Sequence, residues 1–246
     1  MSNLTILRNY ALKDPATLPS SILFSHTETS LTIYDTFPKS LFHFLLLPRI
    51  VAPLEANELS SLRTLLRSDK TRAKQVISAL NDDAQSLRKE IEEEMVKRYG
   101  FKWGIWAGFH AVPSMQHIHL HVLSADMCSE KMKNKKHYNS FHPKIGFFLD
   151  IDEVLSWFDA EDSYYARMAK LDPKPYEALL KEDLSCFHCD TRVKNMPTLK
   201  AHLQEEWDKQ AAREKAKLER KRKFEEKLED SNQDAPKKQK PEPEEA

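Results

Sequence analysis

Three imidazoles stand at every second position in His117-Ile118-His119-Leu120-His121, and Val122 and Leu123 continue the apolar series. Alternate side chains of a β-strand leave opposite faces, at a rise of about 3.3 Å per residue. The spacing predicts a strand with the three histidines on one face, about 6–7 Å apart, and Ile118, Leu120 and Val122 in a core. A single histidine there would be an ordinary satisfied side chain; three in a row suggest either metal binding or phosphorus chemistry. Neutral imidazole is a common zinc ligand. Three same-face positions span about 13 Å, however, too far for all to reach one ion without strong twist. Nucleophilic attack fits better: one imidazole attacks phosphorus while its neighbours orient it and hold the phosphate oxygens.

A second group with chemical potential lies downstream. Cys186 and Cys189 in C-x-x-C spacing, then His202, match a small zinc finger. His202 falls on a stretch of helical spacing with Leu199 and Leu203, which places Glu206 as the fourth ligand. Glu205 or a water are alternatives, and His188 sits inside the turn between the cysteines. A redox C-x-x-C is the competing reading. The expected ion is structural Zn2+. Cys128 has no partner in the pattern and reads as a bystander thiol.

These groups need elements to position them. Leu31–Asp35 and Leu41–Leu47 read as strands joined by a turn at Phe37-Pro38-Lys39. Leu59, Leu62, Leu65 and Leu66 predict a helix after Pro53. Val76, Ile77, Leu80, Leu87, Ile91 and Met95 predict a longer one with a charged outer face. Phe101–Trp106 reads as a strand running toward His110. Strands around an amphipathic helix, without βα alternation, indicate an α+β fold with an antiparallel sheet and packed helices. We therefore expect a catalytic domain over residues 1–150, a zinc-finger region over 151–210 and a charged helix with a disordered tail over 211–246. With 40% hydrophobic residues, 31% charged residues and a formal net charge of +0, the chain has a core and a well-solvated surface. No apolar run reaches transmembrane length and no basic segment precedes an apolar one near the start, so neither membrane partner nor export is expected. Lys221-Arg222-Lys223 and Lys237-Lys238-Gln239-Lys240 are spaced like a nuclear import signal, with a solvated tail the plain alternative.

The segment from His110 through Pro113-Ser114-Met115 to His117-Ile118-His119-Leu120-His121 resembles the signature of the histidine triad hydrolases and transferases, and within them the aprataxin branch. Asp35–His43, Lys133–Phe141 and the Cys/His element agree with that branch in the same order. The resemblance covers about residues 5–210. It implies a histidine-triad-like antiparallel sheet followed by a small C-terminal zinc finger, in a short form lacking the forkhead-associated domain. It further implies that His119 forms a covalent adenylyl-histidine, that His117 orients it, and that His121 contacts the phosphate. His110 would transfer a proton or stabilise charge. Asp35 would grip the ribose, and Lys39, His43, Ser114, Met115, Lys136 and His137 would line the substrate site, with Lys133 and Lys135 close by. The N-terminal helix (about 3–13) would wedge against the terminal base pair, with Tyr10 either stacking there or sitting in the core.

The implied reaction removes AMP from a 5′-adenylated DNA nick or end, including RNA–DNA junctions, by a nuclear, monomeric enzyme that is also compatible with the cytoplasm. No metal is needed for that chemistry. A small-molecule triad hydrolase of dinucleoside polyphosphates or phosphoramidates is one alternative; a non-catalytic zinc-finger nucleic-acid-binding module is another.

Overall fold

The computed structural model describes residues 4–233. Two compact units divide after Glu206, the second beginning at Trp207. The disordered tail expected beyond residue 233, with its Lys237–Lys240 cluster, lies outside the described residues.

Helix α1 (Ile6–Leu12) is shorter than the 3–13 expected and buries Leu7 and Ala11. Strands β1 (Leu23–His26), β2 (Ser30–Tyr34) and β3 (His43–Pro48) follow. The helix expected after Pro53 is broken into a 3-10 turn (Glu58–Ser60) and a short α2 (Leu62–Leu66). Ser61 breaks it: its side chain caps Thr64 N–H, and Thr64 caps back in a capping box. Helix α3 (Lys70–Tyr99) is the long amphipathic helix, capped by Asp69 and ended by Gly100 at φ +79. Its buried stripe is Ala73, Val76, Ile77, Leu80, Ala84, Leu87, Ile91 and Met95. Strand β4 is Ile105–His110, not the 101–106 expected, so His110 ends the strand itself. Then come β5 (Leu120–Ser124), α4 (Lys135–Asn139), β6 (Phe148–Asp150), α5 (Ile151–Phe158), α6 (Asp162–Met168), α7 (Pro173–Leu179) and α8 (Met196–Gln233). The charged stretch expected from residue 211 lies on α8.

The sheet has the order β1-β2-β3-β5-β4-β6 and every pairing is antiparallel. Register sorts the side chains. Leu45 pairs with His121 and His121 with Gly108, while His110 pairs with Phe148. Cross-strand partners share a face, so His43, Leu45, His121 and His110 all point the same way. Phe44, Leu46, Leu120 and Val122 lie on the other face, where α3 packs and Ser30 hydrogen-bonds Asp83 of α3 at 2.6 Å. Every residue of β3 is buried. On the histidine face, α1 closes one end over Leu18, Leu31, Ile33, Leu45 and Leu47. Gly108 is required by close approach: a Cβ there would lie 2.5 Å from the Leu149 carbonyl. No helix among the described residues is long and apolar enough to cross a membrane.

Candidate active site

The histidine strand is a correction to the sequence reading. Strand β5 starts at Leu120, and His117 lies in a bend with φ +90. The row is therefore not one extended strand of three same-face histidines. The cause is local. His117 and Ile118 give their backbone N–H groups to Ser60 and Leu59 carbonyls (2.9 and 2.7 Å), not to a neighbouring strand. The His117 ring turns away from the other two and donates from Nε2 to the Pro48 carbonyl at 2.7 Å. Its role toward His119 is played by its backbone: the His117 carbonyl accepts from His119 Nδ1 at 2.8 Å.

That bond fixes a tautomer. A carbonyl can only accept, so the His119 proton sits on Nδ1 and Nε2 keeps its lone pair. His119 thereby carries a nucleophilic nitrogen in a buried environment. A second chain of bonds fixes the opposite polarity next door. Lys39 N–H donates to His43 Nδ1 at 3.0 Å, which leaves the His43 proton on Nε2. His43 Nε2 lies 3.0 Å from His121 Nδ1 and so donates to it. The His121 proton is then on Nε2, which is buried and meets no partner within the protein, as is Nε2 of His110. His110, His119 and His121 are neighbours, with ring centroids 4.4 Å apart for His110–His121 and 5.0 Å for His119–His121. One attacking nitrogen faces donor groups that phosphoryl oxygens can use.

Burial keeps these imidazoles neutral. It pulls His43 and His117 down from 6.5 to about 4, and lowers His119, opposed by the His117 carbonyl and Asp35. His110 and His121 fall well below the ordinary value, first by burial, then His110 by the charge of His119 and His43, and His121 by that of His110 and His119. Lys39 is buried, and its ammonium donates to the Phe37 carbonyl. Burial lowers its pKa against the pull of Asp35. Its charge depresses His43, His110, His121 and His137. Asp35 lies 3.5 Å from His43 Nε2 and accepts from Phe37 N–H at 2.6 Å. Asp35, His43 and His121 present ligand-type atoms within 4.8 Å of one another. They do not suit a metal, because the Lys39 N–H leaves His43 Nε2 protonated and a ligating nitrogen must be bare.

Of the other expected residues, Ser114 is exposed in the bend after His110. Met115 packs with Tyr10 against the α1 cluster, so Tyr10 sits with the core. Lys133 and Lys136 are exposed; Lys135 pairs with Asp183 at 3.4 Å. His137 is partly buried and accepts from Lys133 N–H at 3.3 Å. Three residues were given no role from the sequence, although Asn139 and Phe141 fall in the 133–141 stretch. Phe141 contacts the His43, His110 and His121 rings with centroids 5.3, 4.5 and 5.0 Å away. Asp126 accepts from Leu41 N–H, Trp103 Nε1 and Cys128 N–H, at 3.0, 3.1 and 3.1 Å, and from the Ser124 hydroxyl, so it pins the loop that carries Lys39. Asn139 donates to the Glu182 carbonyl at 2.9 Å. An aspartate just after an apolar strand carries no spacing signal, and the motif that includes Phe141 does not say what it touches; only tertiary contact reveals these roles.

Cys186, Cys189 and His202 bring their ligand atoms within 4.8 Å of one another. The knuckle is shaped by backbone: Cys186 N–H donates to the Thr191 carbonyl at 2.9 Å and Asp190 N–H to the Cys186 carbonyl at 2.7 Å, with Asp190 at φ +58. Hydrogen bonds from Thr191, its hydroxyl first, lower the Cys189 thiol to about 7, while burial raises Cys186. Cys189 Sγ lies 3.2 Å from His202 Nε2. Two soft sulfurs and an imidazole nitrogen suit zinc. Glu206 lies one turn beyond His202 on α8. Burial lowers the pKa of His188, and Glu206 pulls it back up. Tyr138 joins the two sites: its hydroxyl donates to the Ser185 carbonyl at 2.8 Å and accepts from Phe187 N–H at 3.2 Å. Leu184, Cys186, Phe187, Leu199 and Leu203 share one core with Leu123, Tyr138, Phe141 and Phe148.

Comparison with known proteins agrees with both halves. Residues 10–137 match the family model "Scavenger mRNA decapping enzyme C-term binding", and residues 144–209 match "C2HE / C2H2 / C2HC zinc-binding finger". An aprataxin-like protein of Schizosaccharomyces pombe is 34% identical over 184 residues, spanning 72% of this chain and 70% of that protein. One of Drosophila melanogaster is 32% identical over 185 residues, 75% of this chain and 24% of that protein. The chain spans from about a quarter to about half of the first relatives it matches. The structure of Hnt3 in complex with DNA and guanosine superposes with a TM-score of 0.59 at 28% identity, covering 85% of this chain and 97% of that one.

Proposed function

The chain belongs to the aprataxin-like family, and from that premise we infer that it hydrolyses the adenylate from a 5′-adenylated nucleic-acid end. The observation that carries the reading is the pairing of tautomers: a bare His119 Nε2 beside the proton-bearing Nε2 of His121, both buried. His119 attacks the adenylate phosphorus and the nucleic acid leaves with its 5′-phosphate. Water then cleaves the phosphorus–nitrogen bond, releasing AMP and restoring the imidazole. His121 and Lys39 hold the non-bridging oxygens, and His110 stabilises charge there. Asp35 accepts from the ribose hydroxyls, and its place beside His43 and Lys39 supports that assignment.

Nucleic acid, rather than a small dinucleotide, is favoured by the finger that shares the core, and by relatives whose solved structures contain DNA. When bound by Cys186, Cys189, His202 and Glu206, zinc acts structurally, cross-linking the knuckle to α8. Lys221–Lys223, paired along α8 with Glu225, Glu226 and Glu219, fit a nuclear site of action.

The test is turnover on a nicked duplex bearing a 5′-adenylate, with a diadenosine polyphosphate in parallel and intact-mass analysis after a rapid quench. AMP release from the duplex, with a transient adenylyl mass lost in His119→Ala, is expected. Release only from the dinucleotide replaces this reading with that of a small-molecule hydrolase. Duplex binding without any turnover replaces it with a binding module.

A further inference from the structure

We propose that Arg63, Arg67 and Lys170 form a second phosphate-binding cleft, apart from the histidine centre, that holds the sugar–phosphate backbone of the nucleic acid being processed. Only the identity of the polymer rests on the adenylate reading.

The cleft has a volume of about 710 Å³ and lies between α2 with its following turn and the C-terminal end of α6. Its polar lining consists of Arg63, Arg67, Ser68, Tyr165, Lys170 and Asp172. Cations just outside it are neutralised: Lys70 pairs with Asp162, Arg72 with Glu58 and Lys74 with Asp159. Among the described residues, the three cations that line it have no ion-pair partner. Its single carboxylate, Asp172, is engaged as the cap of α7, accepting from Lys174 N–H at 3.3 Å. Arg63 Nε is buried and meets no acceptor. Arg63 thus offers the cleft a guanidinium whose charge no carboxylate offsets, unlike the paired cations around it.

The cleft is also held in shape. The Tyr165 hydroxyl donates to the Leu66 carbonyl at 2.8 Å, tying one wall to the other. Ser68 is bonded to Glu58 at 2.9 Å and to the Leu65 carbonyl at 2.7 Å. The segment that leads into α2 receives the His117 and Ile118 backbone N–H groups at Ser60 and Leu59. The nucleophile's loop and the cleft thus share one anchor.

Three cations on two separate elements suit a repeating polyanion better than one small anion. A duplex carries one phosphate per about 3.4 Å on each strand. The backbone of such a strand offers a series of charges to this surface.

The experiment uses the full chain with Arg63→Ala/Arg67→Ala/Lys170→Ala, and separately Arg67→Glu at an exposed position that folding does not need. Fluorescence anisotropy with an unadenylated nicked duplex is measured over a salt series, and steady-state kinetics with the adenylated duplex. The triple variant is expected to bind at least about 10-fold more weakly, with a log K against log salt slope shallower by about 2–3. Its KM should rise by a similar factor with kcat within about twofold, and Arg67→Glu should move the same way. Unchanged affinity and slope in Arg67→Glu and in a folded triple variant overturn the cleft. If wild type releases no AMP but the variants still lose duplex affinity, the adenylate reading fails and the cleft stands. Normal AMP release with unweakened variants does the reverse.

Discussion

The histidine centre and the cysteine knuckle are both small polar sites on one hydrophobic core, but different forces order them. In the centre, protein hydrogen bonds do the work: Lys39 N–H, the His117 carbonyl and the Pro48 carbonyl each set one imidazole. Its donors and its lone pair stand ready before any ligand arrives. In the knuckle the backbone turn brings two thiols and an imidazole together, yet their ligand atoms have mainly each other for partners, with Cys189 also bonded to Thr191. Such a ligand set would draw its final order from a bound zinc ion. The contrast is between a centre whose geometry is set by the polypeptide and a finger whose ligand set is built for an ion. The segment from Tyr138 to Phe141 spans both, one end bonded into the knuckle and the other packed on the imidazoles.

The largest effect should come from removing zinc. Metal binding to isolated zinc fingers contributes on the order of 10 kcal/mol to their folding, so a strong chelator should release amide protection around Cys186, Phe187 and Leu199. Because these share a core with Leu123 and Phe148, protection in β5 and β6 should fall as well, though less. Hydrogen exchange read by mass spectrometry checks this. Identical exchange with and without chelator would break the comparison, since both regions would then be ordered by protein alone.

Phe141→Ala comes next. Deleting a buried phenylalanine costs about 3–5 kcal/mol, and this one is 3% exposed. The imidazoles it packs against lose a wall, and misplacement of about 1 Å can cost on the order of 10²-fold in rate. Unfolding midpoint and turnover should both drop, whereas His119→Ala should abolish turnover and leave the midpoint near wild type. A Phe141→Ala enzyme that loses stability but keeps full kcat would show that Tyr138–Phe141 does not couple the two sites.

The two regions were also unequally legible in the sequence. Period-two histidines and the C-x-x-C spacing marked out the two groups because both signals are local, while the roles within them came from the resemblance. The pairing of β2 with β3 and the buried stripe of α3 were likewise legible from hydrophobic alternation and helical spacing. What failed was long-range. His117 left the expected strand because its N–H found Ser60, a residue 57 positions earlier in the chain. Strands β1 and β6 are only four and three residues long and carry no usable alternation. Asp126 and Phe141 act through contacts that no spacing encodes. Nor could the sequence supply that the carbonyl of His117, not its ring, faces His119.

Acid should separate the regions by a smaller amount. His43 is fully buried and titrates near 4 in the folded chain, against 6.5 for the ordinary group. Between those values the unfolded chain binds a proton that the folded one refuses, so stability is complete above about pH 6.5 and falls as pH drops toward 4. For His43 alone the loss is about 2 kcal/mol at pH 5. Urea midpoints at pH 7.5 and 5, with imidazole NMR to follow His43, check the sign. A His43 resonance that titrates near 6.5 without loss of stability would mean that the centre is wetter and less preorganised than its geometry indicates.

The smallest effect distinguishes the two left-handed backbones. His117 at φ +90 and Asp190 at φ +58 both adopt a conformation that favours glycine. In the knuckle only the turn matters: Asp190→Gly keeps it, relieves the side-chain strain and loses one solvent-exposed ion pair with Lys144, worth about 0–1 kcal/mol. Its stability and zinc affinity should therefore lie within about 1 kcal/mol of wild type. His117→Gly keeps the same backbone freedom but removes the ring that donates to Pro48. Its carbonyl then loses a fixed direction, so kcat should fall by about 10-fold or more, as expected for a positioning bond worth about 1–2 kcal/mol. The paired measurement is kcat with its pH profile for both variants. Equal, near-wild-type values would place the orientation of His119 in the turn alone; a loss confined to His117→Gly would place it in the bond to Pro48, the one contact the knuckle has no counterpart for.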